Sequence, residues 1–364
     1  MSSEASNITI NEYSVLIGHS IKSEINSFLS KKQYDKLAVL VDNNTMKSCL
    51  PVLKESLEFS NEPLIIEISA GEEFKNRTVL DTVFDQMLEH GINRNSVLVN
   101  LGGGMVTDLG GFAGATYQRG IDFIHVPTTV LGQVDAAIGG KVGINHKNIK
   151  NQIGVFADPV AVFVDAIYLQ TLDDRQLRNG FAEVMKYGLI MDKTFWKEII
   201  KKYGSNFWLE DSKTIDPELI STCIKLKAEI VQKDPLDKGI RKTLNFGHTF
   251  GHALESFYVS HGLELLHGEA VAAGIIVEGW LSQKLLELGD VDFSEIVDQV
   301  NNVFPTLEIA ELDPDSLIDL MRHDKKNFNN EINFTLLQTL GDAKVDNHVD
   351  VELITEAIEF LKKL

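Results

Sequence analysis

The chain has 364 residues, with 34 Lys and Arg against 53 Asp and Glu, for a formal net charge of −19. Such a length allows two or three domains with full-sized cores. The 44% hydrophobic and 24% charged content is that of a globular chain and excludes disorder as the main state. The acidic balance argues against a general nucleic-acid binder, which needs basic patches, so an anionic ligand must find its positive charge locally.

The two cysteines, Cys49 and Cys223, form no C-x-x-C pair. Neither a disulfide framework nor a zinc knuckle is readable, which fits a reducing cytosol. The polar start, Met1 to Asn11, lacks the apolar run of a secretory signal. The most apolar stretch, Ala270 to Leu281, is interrupted by Glu278. It is also shorter than the ~20 residues a spanning helix needs.

In chain order, the first half alternates strand and helix patterns. Strands are predicted at 36–42, 64–69, 96–101, 121–126 and 160–165. Helices are predicted at 43–59 and at 76–90, where Val79, Leu80, Val83, Phe84, Met87 and Leu88 recur at helical spacing. This alternation predicts a mostly parallel sheet covered on both faces. From about Ala166 the pattern changes to long amphipathic segments at 173–189, 194–203, 216–233, 244–258, 268–288, 292–303 and 314–323. One strand-like exception lies at 331–338. The expectation is an α/β domain over residues 1–165 followed by a helical domain over residues 166–364.

Three groups of residues carry possible chemistry. Leu101-Gly-Gly-Gly-Met-Val-Thr-Asp108 follows a strand and opens a helix. Glycines there admit a pyrophosphate to a helix N-terminus, although a tight turn with no ligand has the same pattern. Thr107 stands at the third position of G-x-G-x-x-G, and Asp108 reads either as a first-turn acid or as a cofactor contact. In the helical half, Glu183, Lys186 and Tyr187 share one helix face. His248 and His252 lie one turn apart, and His267 opens an apolar helix. Two imidazoles and one carboxylate make a common catalytic zinc set, and spacing alone leaves His248 and His252 equally eligible. The unligated one would be available for proton transfer. Finally, Arg119, Lys141, Lys147, Lys150, Asn151, Lys227, Arg241, Lys325 and Lys326 could form the positive pocket.

Taken together these segments resemble the 3-dehydroquinate synthase family of the sugar-phosphate cyclases. The resemblance rests on Asp42, Gly71-Glu-Glu-Phe-Lys75, the glycine turn, Pro127-Thr-Thr129, Val134-Asp-Ala-Ala-Ile-Gly-Gly-Lys141, Lys150-Asn-Gln-Ile-Gly154, Phe181 to Gly188, Leu244 to His252, His267-Gly-Glu269 and Asp324-Lys-Lys326. It implies a Rossmann-like NAD-binding domain and a helical metal-binding domain. Zinc or cobalt would be held by Glu183, His248 and His267, with His252 near the transferred protons or the substrate phosphate. NAD contacts are implied at Asp42, Glu72, Lys75, Gly103, Gly104, Met105, Asp108, Thr128, Thr129, Lys141, Lys150 and Thr171. Substrate contacts are implied at Arg119, Asp135, Lys141, Lys150, Asn151, Lys186, Lys227, Arg241, Asn245 and Lys325. Two departures from the family pattern are Thr107 and Val142, where glycine and threonine are frequent.

The implied substrate is a phosphorylated seven-carbon sugar acid, 3-deoxy-D-arabino-heptulosonate 7-phosphate. It would be cyclised to 3-dehydroquinate through transient oxidation, loss of phosphate, re-reduction and aldol closure, as the second step of the shikimate pathway to the aromatic amino acids. The resemblance also implies a cytoplasmic homodimer with no nucleic-acid or membrane partner. Three rivals are a cyclase acting on a sugar without the carboxylate, a metal-dependent polyol dehydrogenase, and a scaffold protein that kept the fold without its chemistry.

Overall fold

The computed structural model describes residues 6–18, 21–59, 61–147, 149–210, 214–305, 312–322 and 332–364. The first part of the chain runs β1 (Ser6–Ile10), β2 (Tyr13–Gly18), α1 (Lys22–Lys32), β3 (Leu37–Asp42), α2 (Asn43–Ser48), α3 (Leu50–Ser56), β4 (Leu64–Ile68), α4 (Arg77–Glu89), β5 (Val97–Gly102), α5 (Gly104–Thr116), β6 (Asp122–Pro127), β7 (Lys141–His146), β8 (Ile149–Phe156) and β9 (Ala161–Asp165). The second part runs α6 (Asp174–Met191), α7 (Lys193–Lys202), α8 (Ser205–Trp208), α9 (Pro217–Lys233), α10 (His248–Ser260), α11 (His267–Leu285), α12 (Asp290–Val303), α13 (Pro314–Arg322), β10 (Asn333–Thr339), β11 (Asp342–His348) and α14 (Val351–Leu361).

These elements form two compact units. One comprises residues 1–177 with 214–232, and the other 178–213 with 233–364. Helix α9, expected with the helical part, therefore packs within the first unit. The first unit is built on a seven-stranded sheet in the order β1-β2-β9-β6-β5-β3-β4, parallel except for the β1–β2 hairpin. Its strands are apolar on both faces because both faces are covered. Ala38, Leu40 and Leu98 face one core with Leu80, Val83, Leu109 and Phe112. Val39, Val41, Val97 and Val99 face the other with Ile25, Leu29, Leu50 and Leu53.

The chain leaves β3 through α2 and α3 toward β4, and leaves β5 through α5 toward β6 on the opposite side. The β3–β5 boundary is thus a topological switch point, and the carboxyl ends of these strands, Asp42 and Gly102, border the crevice where open α/β sheets bind ligands. The Val134–Lys141 segment begins within a short helical turn, Gly132–Ala136, and leads into the antiparallel β7–β8 hairpin. In the second unit α10 packs on α11, and the β10–β11 hairpin packs on α11 as well. The predicted strand at 331–338 is β10; its partner β11 has an alternating exposed pattern with little apolar content.

Candidate active site

The glycine turn joins β5 to α5 as expected. Gly103 is the N-cap of α5 and contributes no side-chain hydrogen bond to the helix end. The first N–H groups of a helix have no intrahelical partners, so this end is open to an anion. A Cβ on Gly103 would lie 3.1 Å from Thr129 Cγ2, and one on Gly104 3.1 Å from Ala136 Cβ; glycine keeps that cradle clear. Thr107 is tolerated at the third position because its Oγ1 donates back to the carbonyls of Gly103 and Gly104 at 3.3 and 3.1 Å. Val142, the other departure, packs against Gly111, where an added Cβ would meet Val142 Cγ1 at 2.4 Å.

Around this turn lies a buried charge cluster. Lys75 Nζ reaches Glu72 Oε1 at 2.8 Å and Asp108 Oδ2 at 3.1 Å with a nearly buried side chain. Burial pushes the Asp108 carboxyl up, and the opposing pull of Lys75 leaves it at about 6. Glu72 is also pushed up by burial, but Lys75 and Lys150 more than reverse this and hold it below the ordinary range. A side-chain cluster so displaced at a sheet's carboxyl edge marks a functional site. Sequence reasoning missed Asn145, which donates to Glu72 Oε1 at 2.9 Å and accepts from Asn151 N at 2.9 Å.

The remaining first-unit residues divide by location. Asp42 caps α2, accepting from Asn44 N and Thr45 N at 2.9 and 2.8 Å. Thr128 N donates to Gly102 O at 3.0 Å, and Thr129 Oγ1 accepts from Gly132 N at 3.0 Å. Thr171 contacts Cys49 Sγ at 3.7 Å. Lys227 on α9 bonds Asp135 through Oδ1 and through its carbonyl, each at 2.7 Å. Lys141, Lys150 and Asn151 lie on the β7–β8 hairpin. Arg119 is not brought to the turn. It follows α5, whose 13 residues span roughly 20 Å, in a left-handed conformation at φ 71°. It precedes β6 at the opposite edge of the sheet. Lys325, with Lys326, lies outside the described residues.

In the second unit, three helices bring Glu183, His248 and His267 together, with one ligand atom of each within 4.8 Å of the others. Glu183 Oε1 is 3.3 Å from His248 Nε2 and 3.4 Å from His267 Nε2. The outer ring nitrogens are engaged: His248 Nδ1 by Phe246 O at 3.1 Å, and His267 Nδ1 by Glu255 Oε1 at 3.3 Å. Such outer partners fix the ring so that Nε2 faces inward. His252 stands beside the set, its ring edge-on to His248 at 5.3 Å between centroids. Geometry thus separates the two imidazoles that spacing left equal.

Close helix packing makes this convergence possible. A Cβ on Gly268 would lie 1.8 Å from Asn179 O, and Gly268 N donates to Asn179 Oδ1 at 2.6 Å. Glycine therefore seats the start of α11 directly against α6. Glu183 is completely buried and ion-paired to Lys186. Burial pushes its carboxyl up, but Lys186 and His248 reverse this and hold it well below the ordinary range. Burial and Lys186 press His248 down to about 4, whereas for His267 the burial effect is outweighed by Glu255 and Glu183, which raise it to about 9.

Lys186 is paired with Glu183 Oε2, whereas Oε1, which faces both imidazoles, has no well-formed hydrogen bond among the described residues. A buried carboxylate costs several kcal/mol unless compensated. One carboxylate and two inward-facing Nε2 atoms fit a divalent cation. Among the other expected contacts, Arg241 is buried and donates to Pro235 O at 2.8 Å. Asn245 ends the same short helical turn, five residues before Phe250 on α10.

No helix among the described residues is long and apolar enough to cross a membrane. Family models describing the N-terminal and C-terminal parts of 3-dehydroquinate synthase match residues 65–179 and 180–327. A 3-dehydroquinate synthase of Parabacteroides distasonis is 42% identical over 358 residues, covering 97% of this chain and 99% of the relative. A solved 2-deoxy-scyllo-inosose synthase, in complex with carbaglucose-6-phosphate, NAD+ and Co2+, has a TM-score of 0.85 at 24% identity, covering 98% of this chain and 99% of its own. The 2-epi-5-epi-valiolone synthase of Streptomyces hygroscopicus, with NAD+ and Zn2+ bound, has a TM-score of 0.85 at 24% identity, covering 99% of both chains. At that identity the likeness bears on the fold. The chain belongs to the 3-dehydroquinate synthase family.

Proposed function

We propose that the chain is a working 3-dehydroquinate synthase, converting 3-deoxy-D-arabino-heptulosonate 7-phosphate to 3-dehydroquinate and phosphate. The observation that carries this reading is the convergence of Glu183, His248 and His267 in a chain whose family match spans both parts of the molecule. NAD would lie at the Gly103–Gly104 turn, between Asp42 and the Glu72–Lys75–Asp108 cluster, with Thr128, Thr129, Met105 and Thr171 alongside. When bound, NAD supplies reversible hydride transfer and the cation, zinc or cobalt, supplies a Lewis acid for the substrate hydroxyls.

The chain's own residues bind and orient. Lys141, Lys150, Lys227, Asn151 and Asp135 are read as polar contacts to the substrate, as are Lys186, Arg241 and Asn245. The lysines act as point charges for phosphate, and the Arg241 guanidinium suits a carboxylate. His252, beside the triad but outside it, is placed to hold a proton. Holding a flexible open chain in one conformer contributes much of the acceleration in such a sequence of steps. Arg119 is kept as an expected substrate contact, and Arg241 favours this substrate over a sugar lacking the carboxylate. The assembly is read as a cytoplasmic homodimer. Two buried free cysteines accord with a reducing compartment.

The test supplies the heptulosonate phosphate with NAD and Co2+ and follows phosphate together with NADH absorbance. One phosphate per substrate with no lasting NADH is expected, because the net redox change is zero. Steady NADH accumulation on a simple polyol, with no phosphate released from the heptulosonate, overturns the reading in favour of a dehydrogenase.

A further inference from the structure

Glu278 interrupts the most apolar run of the sequence, and in the structure it is completely buried on α11. Its two oxygens point at the first turn of α10. Oε2 accepts from Gly247 N at 2.7 Å, and Oε1 accepts from Thr249 N and Phe250 N at 3.0 and 3.2 Å. One helix thus supplies the N-terminal cap of another. The local alternative is closed by backbone conformation. A capping Ser, Thr, Asp or Asn adopts extended φ and ψ, whereas Gly247, the N-cap of α10, sits at φ 80°, a region that favours glycine.

The preceding turn of α11 holds Gly247 as well. A Cβ on Gly274 would lie 1.9 Å from Gly247 O, so glycine at 274 admits that carbonyl while Glu278, one turn on, takes the N–H. The gripped segment is flanked by Phe246, whose carbonyl engages His248 Nδ1, and by His248 itself, the first residue of α10. His267 is likewise the first residue of α11. Both imidazoles therefore stand at helix N-termini, each carrying about half a positive charge, an unfavourable place for a cation. A carboxylate seated against the α10 terminus offsets that field.

We propose that Glu278 is a positioning residue of the metal centre: it clamps the Gly247–Phe250 backbone so that His248 Nε2 faces Glu183, and it neutralises the helix terminus beside the cation. This rests on the metal reading of the Glu183–His248–His267 set. The experiment titrates Co2+ into the full-length protein, following its visible absorption, for wild type, Glu278→Gln and Glu278→Asp. NAD affinity and the denaturation midpoint of the metal-free protein are measured alongside.

Glu278→Gln keeps the shape but loses the charge and one of the two acceptor oxygens. A roughly ten- to hundred-fold weaker Co2+ affinity with an altered absorption band is expected, as for other outer partners of metal ligands, with NAD affinity unchanged. A purely structural role would lower the midpoint and leave the Co2+ affinity and spectrum of the folded protein as in wild type, and that result overturns the proposal. Should the glutamine variant not fold, Glu278→Asp decides. It retains the charge with a shorter reach, so weaker binding is expected, and wild-type affinity and spectrum overturn the proposal. Failure of the wild type itself to bind Co2+ would remove the metal reading, and this inference with it.

Discussion

The two units build their candidate sites from different materials. In the first, the backbone does most of the work: a glycine turn at the carboxyl end of β5, a capped strand end at Asp42, and a helix terminus without a side-chain cap. In the second, side chains do it. Buried charges on three helices converge, and glycines at 268 and 274 let those helices approach closely enough. A backbone-built site tolerates changes in its neighbours as long as the turn keeps its shape. A site built of buried charges depends on each partner, because removing one leaves another uncompensated.

The strongest test of that contrast is His267→Ala. Its loss takes a ligand from the triad and the imidazole partner from Glu255, so Co2+ binding should vanish. Turnover should fall roughly a thousand-fold or more, equivalent to the several kcal/mol a cation contributes. NAD titration of the same variant should match wild type, since its proposed contacts lie in the first unit. Retained turnover would show the ligand assignment to be wrong.

Glycine substitutions extend the contrast to packing. Gly268→Ala places a Cβ 1.8 Å from a backbone carbonyl, Asn179 O, which cannot rotate away. Gly110→Ala places one 1.9 Å from Asn100 Oδ1, the end of a side chain bonded to His125 Nδ1 at 3.2 Å. Overpacking typically costs about 1–3 kcal/mol and sometimes more. Gly268→Ala is expected at or above the top of that range with loss of Co2+ affinity, and Gly110→Ala within it with weakened NAD binding. Urea denaturation and the two titrations check both, and equal effects on both ligands would dissolve the contrast.

The same difference explains what the sequence revealed. The parallel strands are continuous apolar runs and were legible as such, as were the helices whose apolar residues recur at three and four. The β1–β2 hairpin is short and partly exposed, and β7–β8 is broken by Gly143 and Gly154, which approach each other's strand closely. The second hairpin has no periodic signature, whereas in the first Tyr13, Val15 and Ile17 are buried at period two, a signal present but unassigned. Helix α14 carries buried Ile354, Ala357, Ile358 and Leu361 at helical spacing, a signal present but unassigned. Amphipathicity shows that α9 buries one face, not which core receives it. At the metal set the residue types were readable but the choice of imidazole was not, because it turns on what holds Nδ1. Glu278 read only as a charge too many for a membrane span.

Gain of a proton at His125 should weaken the first unit in acid, and loss of one from His267 should weaken the second in alkali. His125 lies buried in the first unit's sheet, where burial lowers it to about 3 from an ordinary 6.5. Its neutral form contributes stability that is complete above 6.5 and is lost as pH falls toward 3, a few kcal/mol at most. His267 is raised to about 9. Its protonated form contributes stability that is complete below 6.5 and is lost as pH rises through 9. In metal-free protein, amide exchange should therefore loosen in acid in β5 and β6, and at the start of α10, where His248 is lowered to about 4, and in alkali around α11. His125→Gln should flatten the acid arm in β5 and β6 alone, and an unchanged profile there would remove His125 as its cause.

The smallest expected effect separates two roles at one residue. Asp42 caps α2 by accepting from two backbone N–H groups while its own N–H donates to Thr45 Oγ1, and it also ends the strand at the switch point. A capping side chain is worth about 1 kcal/mol, and asparagine caps nearly as well as aspartate. An acid at such a strand end serves to accept hydrogen bonds from a ribose, which asparagine does less well. Asp42→Asn should therefore leave the denaturation midpoint within about 0.5 kcal/mol of wild type while weakening NAD binding several-fold. Asp42→Ala should lower both. If asparagine binds NAD as tightly as aspartate does, the residue is a cap alone, and the ribose contact must be sought elsewhere along the carboxyl edge of the sheet.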